Sequence, residues 1–319
     1  MPLSDGAEAV FTDHDNGKTS GLPVVLLHGL TQQQHYWGPV LARLAGRRVI
    51  TVDQRGHGEA SGSQVTPQSD FSIPRLARDV IEILDRAGVP EAVVVGHSWG
   101  ASVALRTASA FPDRVRAAVL IDGGIFGPRH LVTSDRSAEQ VREALRPPAL
   151  GIAETDVWQA IESGDLAEYW SDDIQRALAP TFRVDEDGRA FTRLGMDRHM
   201  AVLDGLFAYD PDPDIAATRR PTWVVVCEPA VLDPSQAPAS PELTDSTNPS
   251  DSARSTDPAE SLAQAWVAAR RSAIDQLGSR FYRQRWSGAH HDVPLQWPAL
   301  VAGLVETVLE HPDAGGEAE

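Results

Sequence analysis

The sequence predicts an α/β fold: a mostly parallel sheet with helices on both faces, interrupted by an inserted helical segment. Three observations point there. Short apolar runs of strand length alternate with helical patterns over roughly the first 125 residues. The alternation then gives way to helical pattern alone and resumes near residue 220. And one serine, Ser98, stands between Gly96 and Gly100 where a strand-like run becomes a helical one.

The elements follow in order. "PVVLLH" (23–28) is a short continuous apolar run, as expected of a strand buried on both faces. "RVITVD" (48–53), "EAVVVG" (91–96) and "RVRAAVLID" (114–122) read the same way. Between the second and third, Ile73, Leu76, Ala77, Val80, Ile81 and Leu84 recur at helical spacing, with Ser72 as N-cap and Gly88 as stop. "ASVALRTASAF" is a helix ended before Pro112. From 126 to 218 the pieces "SAEQVREAL", "DVWQAIESGDLAEYW" and "DRHMAVLDGLFAY" predict a helical cap. "PTWVVV" (221–226) returns to a buried strand, followed by a Pro-, Ser-, Thr- and Asp-rich stretch, 230–258, expected to be a mobile loop. "SLAQAWVAARRSAIDQL" is a helix, "RFYRQRW" a last strand and "PALVAGLVETVLE" a closing helix; 312–319 reads as a disordered tail. The core is thus expected at 1–125 and 219–311.

Bulk properties narrow the function. At 319 residues, 42% of them hydrophobic, the chain can bury a large core. A formal charge of −17 makes the average surface repel nucleic acid. One cysteine, Cys227, allows no internal disulfide and reads as a buried thiol. The N-terminus lacks the basic-then-apolar pattern of a signal peptide, and no run approaches membrane-span length, so a cytoplasmic protein without membrane contact is expected. Ten histidines include no H-x-x-x-H or H-E-x-x-H run, and no C-x-x-C, Walker or G-x-G-x-x-G pattern is present. No metal and no cofactor are expected; the expected partner is a small-molecule substrate, with oligomeric state open.

Gly96-His97-Ser98-Trp99-Gly100 has the G-x-S-x-G form in the strand-to-helix context that the motif requires. The glycines let neighbouring backbone pass close, and the helix N-terminus favours negative charge beside the serine. A serine hydroxyl needs a base to act as nucleophile. "SGAHHDVPLQWP", just after the last strand, offers adjacent His290 and His291, which cannot both point at one spot.

Over nearly its full length the chain resembles the α/β-hydrolase-fold superfamily, in "HGL" (28–30), "DQRGHGEASG" (53–62), "GHSWG" (96–100) and "GAHHDVPLQWP" (288–298). The resemblance implies an eight-stranded, mostly parallel sheet with an inserted helical cap. Aligning its last motif on Gly288, Gln296 and Pro298 makes His291 the catalytic base. It implies an oxyanion hole from the backbone N–H groups of Trp99 and Leu30. Most relatives carry the acid in a glycine-acid-x-Asp pattern after the strand represented by "PTWVVV", but this chain reads Cys227-Glu228-Pro229-Ala230. A minority place it at the end of the preceding core strand, where Asp122 ends an apolar run. Asp122 is the leading acid, with Glu228 and Asp233 as alternatives. Asp53 and Arg55 are expected to shape their loop. His35, Tyr36 and Trp37 are expected to border the pocket, with Trp158 and Phe207 foremost among cap residues binding substrate; Trp170, Phe182, Met196, Met200 and Tyr209 are further candidates for its roof.

Within this fold, epoxide hydrolase-like and haloalkane dehalogenase-like members attack with aspartate at the elbow, so Ser98 favours acyl chemistry. The sequence therefore predicts a serine hydrolase of a small or medium apolar ester or lactone. Two other readings stand beside it: a non-hydrolytic cyclase using the same groups, and a ligand-binding protein without turnover.

Overall fold

The computed structural model describes the chain except for Asn16, Lys18, Ser20, Ser63, Gln64 and residues 148–150, 230–257 and 314–319. The expected loop at 230–258 lies outside the described residues apart from its last position, as does the expected tail beyond Asp313.

Ten strands are described: β1 Val10–Asp13, β2 Val24–Leu27, β3 Val49–Asp53, β4 Ala92–His97, β5 Val115–Ile121, β6 Ile152–Ala153, β7 Phe182–Val184, β8 Arg189–Thr192, β9 Thr222–Glu228 and β10 Phe281–Ser287. The helices are α1 Gly38–Leu41, α2 Ile73–Arg86, α3 Trp99–Ala110, α4 Ala138–Ala144, α5 Glu154–Glu162, α6 Asp172–Leu178, α7 Met196–Ala208, α8 Asp212–Ala217, α9 Pro258–Gln276, α10 Val293–Gln296 and α11 Pro298–Glu310.

Seven strands form one sheet in the order β1-β3-β2-β4-β5-β9-β10, parallel except for β1 against β3. The described sheet is one strand short of the expected eight. Ahead of β1 the chain turns back on itself, with Gly6 at φ +86° and Leu3 N–H bonded to Ala7 O at 2.8 Å, and leaves only a Pro2–Glu8 bridge.

Both faces of this sheet are covered at its centre, which is why β2, β4, β5 and β9 read as largely apolar runs, while edge strand β10 alternates buried and exposed positions. Val25, Leu27, Val94 and Leu120 pack with α2, α3 and α9 on one face. Val24, Leu26, Val95 and Val119 pack with α1, α6 and α11 on the other. Helix α2 begins where expected: Ser72 accepts the Arg75 N–H at 3.4 Å, and Gly88 at φ +66° follows the last turn.

The insertion departs from expectation. Besides its helices it carries a second, antiparallel sheet in the order β6-β8-β7. These strands are two to four residues long and largely exposed. The β7–β8 turn is held by Asp185, which accepts the N–H groups of Asp187 and Arg189. Strands this short and this exposed leave neither a buried run nor a legible alternation.

Strand order locates the site. From β2 the chain steps to β3 on one side, then crosses back to β4 on the other. Loops leaving the carboxyl ends of adjacent β2 and β4 therefore diverge, opening a crevice of the kind that binds ligands in open α/β sheets.

Candidate active site

Ser98 sits on that crevice, at the turn from β4 into α3, with φ 55° and ψ −119°. Left-handed backbone is strained for a residue with a side chain. The turn is clamped from below, as Ser98 N–H donates to Ile121 O at 2.8 Å. The flanking glycines admit this close passage. A Cβ on Gly96 would stand 2.1 Å from Gly100 O, and one on Gly100 would stand 2.4 Å from Leu27 O.

His291 Nε2 lies 3.0 Å from Ser98 Oγ, and its Nδ1 lies 2.6 Å from Asp122 Oδ2. The three side chains the sequence nominated from distant positions are brought into one hydrogen-bonded row. Asp122 directly follows β5, only 1% exposed and itself at φ 51°. Its Oδ1 accepts the Cys227 N–H at 2.9 Å, and Oδ2 also pairs with the Arg270 guanidinium. Burial works against the Asp122 charge, but its bonds to His291, the Arg270 charge and the Cys227 amide outweigh that and hold the carboxyl below its ordinary value. At His291 burial favours the neutral ring; Asp122, with help from Asp292, overcomes this and holds the imidazole above its ordinary value, while Arg270 opposes the rise.

The loop carrying His291 is anchored at several points. Gln296 Oε1 accepts the His290 N–H at 2.7 Å and its amide donates to Gly288 O at 2.9 Å. His97, inside the serine motif, bonds through Nε2 to His291 O at 2.7 Å. Burial pushes His97 down to about 4, so the neutral ring donates. Tyr36 stacks on His97 and donates its hydroxyl to Asp292 Oδ1 at 2.9 Å.

The loop after β2 closes over the serine from the other side; a Cβ on Gly29 would stand 3.3 Å from Ser98 Cβ. His57 Nε2 bonds to Leu30 O at 2.7 Å, pinning that peptide. Among the described residues the backbone N–H groups of Leu30 and Trp99 have no hydrogen-bond acceptor.

The other expected residues are placed differently. Glu228 faces away, paired with Arg271 Nε at 2.9 Å, while the second nitrogen of His291 belongs to Asp122. Asp233 lies outside the described residues. Asp53 and Arg55 are structural: Asp53 accepts the Gln34 and Glu59 N–H groups, and Arg55 forks onto Asp79.

A cavity of about 630 Å³ adjoins the site through Thr31, which follows Leu30, and Asp292, which follows His291; Ser98 and His291 themselves are not in its lining. The loops of the large sheet give it Thr31, Gln32, His57 and Asp292; the insertion gives it Phe182, Arg183, Phe191, Arg193, Met196 and His199, among others. None of the five nominated substrate-binding residues lines it. Tyr36 and Trp37 are fully buried beneath the site, and His35 is exposed elsewhere. Trp158 packs on Trp170 and Phe182, and Phe207 packs against Leu131, Val141 and Leu262. Of the further roof candidates Phe182 and Met196 reach the cavity, and Trp170, Met200 and Tyr209 do not. Apolar side chains in short helices serve core and pocket alike, so residue type did not separate them.

Arg270 is one of the site residues the sequence reading missed, although it left a signal. Leu262, Trp266, Arg270 and Ile274 recur four apart in α9, an apolar stripe with one charged member.

Residues 23–179 match the family model of the alpha/beta hydrolase fold. A putative carbamate hydrolase RutD from Variovorax paradoxus is 30% identical over 222 residues, 69% of this chain and 78% of that protein. Epoxide hydrolase B from Mycobacterium tuberculosis is 33% identical over 186 residues, 54% of this chain, and the match spans half the length of that relative. Among solved structures, an E-2-(acetamidomethylene)succinate hydrolase superposes with TM-score 0.65 at 21% identity, covering 95% of this chain and 100% of that one. The enol-lactonase from Burkholderia xenovorans LB400 does so with TM-score 0.58 at 18% identity, over 96% and 98%; at these identities the likeness is one of fold.

Proposed function

Because this chain belongs to the α/β-hydrolase fold family, we propose that it is a cofactor-independent serine hydrolase that opens a small or medium carboxylic ester or lactone through an acyl-enzyme. The observation that carries the reading is the unbroken row from Ser98 Oγ through His291 to Asp122.

Ser98 Oγ attacks the substrate carbonyl carbon as its proton passes to His291 Nε2. The free amides of Trp99 and Leu30 receive the oxygen that becomes negative; one such donor is worth about 10²–10³ in rate. Collapse of the tetrahedral species expels the leaving alcohol, which takes the proton from His291. Water then attacks the acyl-serine, His291 accepts its proton, and Ser98 is regenerated as the acid leaves. Asp122 holds His291 in the tautomer with Nδ1–H toward the carboxylate, leaving Nε2 free to accept, and offsets the imidazolium charge. The insertion serves as a cap, supplying the cavity wall that faces away from the sheet.

The epoxide hydrolase likeness does not extend to the attacking atom, because a serine stands where that chemistry places a carboxylate. The test is covalent. A fluorophosphonate should add one phosphonyl mass to the intact protein, mapping to Ser98, and Ser98→Ala should lose both the label and ester turnover while melting normally. An unlabelled wild-type protein, or a Ser98→Ala variant that still turns over ester, would refute the mechanism.

A further inference from the structure

The insertion's share of the cavity lining includes an exposed hairpin, and its chemistry is unlike the rest. Arg183 on β7 pairs with Phe191 on β8, and Arg193 N–H bonds to Thr181 O at 2.9 Å, continuing the register. Residues opposite one another, or two apart, share a face of an antiparallel pair. Thr181, Arg183, Phe191 and Arg193 therefore share one face of the hairpin, and all four line the cavity, as do Phe182 and Thr192 from the other face.

Three features set this face apart. First, neither guanidinium has a carboxylate partner among the described residues, in a chain of net charge −17. Second, the Arg183 guanidinium lies over the Phe191 ring, 4.4 Å from its centroid, which steadies the cation and leaves its in-plane donors for a ligand. Third, the Thr181 hydroxyl on the same face is buried without a hydrogen-bond partner. Apolar side chains in the same lining include Ile161, Leu166, Leu178 and Leu194. At the serine end the carboxylate in the wall is Asp292, already holding the Tyr36 hydroxyl.

We propose that Thr181, Arg183 and Arg193 form an anion subsite that takes a carboxylate carried by the substrate at the end remote from the scissile bond. The inference rests on the hydrolase reading and narrows its substrate to an ester or lactone with an apolar body and a free carboxylate. Arginine forks suit a carboxylate, which accepts two parallel N–H bonds. The polarity of the cavity also orients the substrate: Asp292 repels a carboxylate from the serine end, and the arginines hold it at the other. The ester carbonyl is thereby the group left at Ser98.

The experiment compares half-methyl esters of succinate, adipate and suberate with the matching dimethyl esters. For the best chain length we expect kcat/KM to favour the half ester at least tenfold in wild type. The Arg183→Gln/Arg193→Gln double variant should lose that preference by raising KM for the half ester at least tenfold more than for the dimethyl ester. Added salt should erode the preference. Equal kcat/KM for both esters in wild type, or an equal fall for both in the variant, would overturn the subsite. Binding of the same half esters to Ser98→Ala by calorimetry separates this failure from failure of the hydrolase reading. Arginine-dependent binding without wild-type turnover would retain the anion subsite and discard the chemistry. Absence of arginine-dependent binding would discard the subsite whatever the turnover.

Discussion

Asp122 Oδ2 accepts from two donors, the imidazole Nδ1–H of His291 and the guanidinium of Arg270. The first contact favours the protonated imidazole and the second opposes it. The net effect holds His291 above its ordinary value, and a base works only when unprotonated. Activity should therefore fall as pH drops through the raised His291 value, giving kcat/KM an acid limb above the ordinary histidine value of about 6.5. Asp122→Asn removes the charge that raises it, so the limb should move to lower pH and kcat should fall about 10⁴-fold through loss of the productive tautomer. A pH–rate profile of the variant measures both, and an acid limb unmoved by the substitution would mean that Asp122 does not act on His291. Ser98 was legible from the residues alone because turn geometry leaves a local mark; His291 was chosen over His290, and Asp122 over Glu228 and Asp233, with the help of the family resemblance. Two glycines betray the turn, and a carboxylate ending an apolar run betrays the strand edge. His97 carried no mark of its own, since a histidine in the middle of the motif gives no hint that its ring reaches the backbone of His291, 194 positions later.

Helix α9 delivers Arg270 on its buried stripe, where the Nε atom has no partner. A buried cation is tolerated only beside a buried anion, and Asp122 is that anion. Removing the guanidinium while keeping an apolar side chain of similar length separates its electrostatic part from its bulk. Arg270→Met should shift the acid limb upward, opposite to Asp122→Asn, because the cation that opposes His291 protonation is gone. It should also cost about 3 kcal/mol of unfolding free energy, the range seen when one partner of a buried pair is removed. A merely structural arginine would show the stability loss with the acid limb unmoved, so the profile and a denaturant titration together decide its role. At this scale the sequence was legible in proportion to burial. The central strands β2, β3, β4, β5 and β9 read cleanly because both faces are covered and most positions are apolar, whereas edge strand β1 was not read at all. Strands β6, β7 and β8 were missed because two to four exposed residues carry no period, and their fold depends on the turn at Asp185 and on pairing with one another.

The whole molecule divides the labour between two sheets that share no ladder among the described residues. Every group proposed to make or break bonds stands at the carboxyl edge of the large sheet, in the loops after β2, β4, β5 and β10. Much of the cavity wall, including the proposed anion subsite, comes from the insertion. The first group is fixed by a core continuous over both faces of seven strands, whereas the second rests on a short hairpin at the edge of a cavity. Stability and specificity should therefore respond to different substitutions. Leu84 in α2 is fully buried in the core under the sheet and far in the chain from any cavity-lining residue. Leu84→Ala should lower the unfolding free energy by about 3 kcal/mol through lost burial and an unfilled cavity, with KM and ester preference unchanged in the molecules that remain folded. Phe182 lies half-buried in the cavity wall against Trp158. Phe182→Ala should lower kcat/KM for ester substrates about tenfold, the scale of lost apolar contact in a binding pocket, with the smaller loss of stability. Denaturant titration and steady-state kinetics on the two variants give the comparison. If Leu84→Ala altered specificity as strongly as Phe182→Ala, or Phe182→Ala proved the more destabilising, the two sheets would not divide the work in this way, and the cavity wall would have to be treated as part of the fold's core.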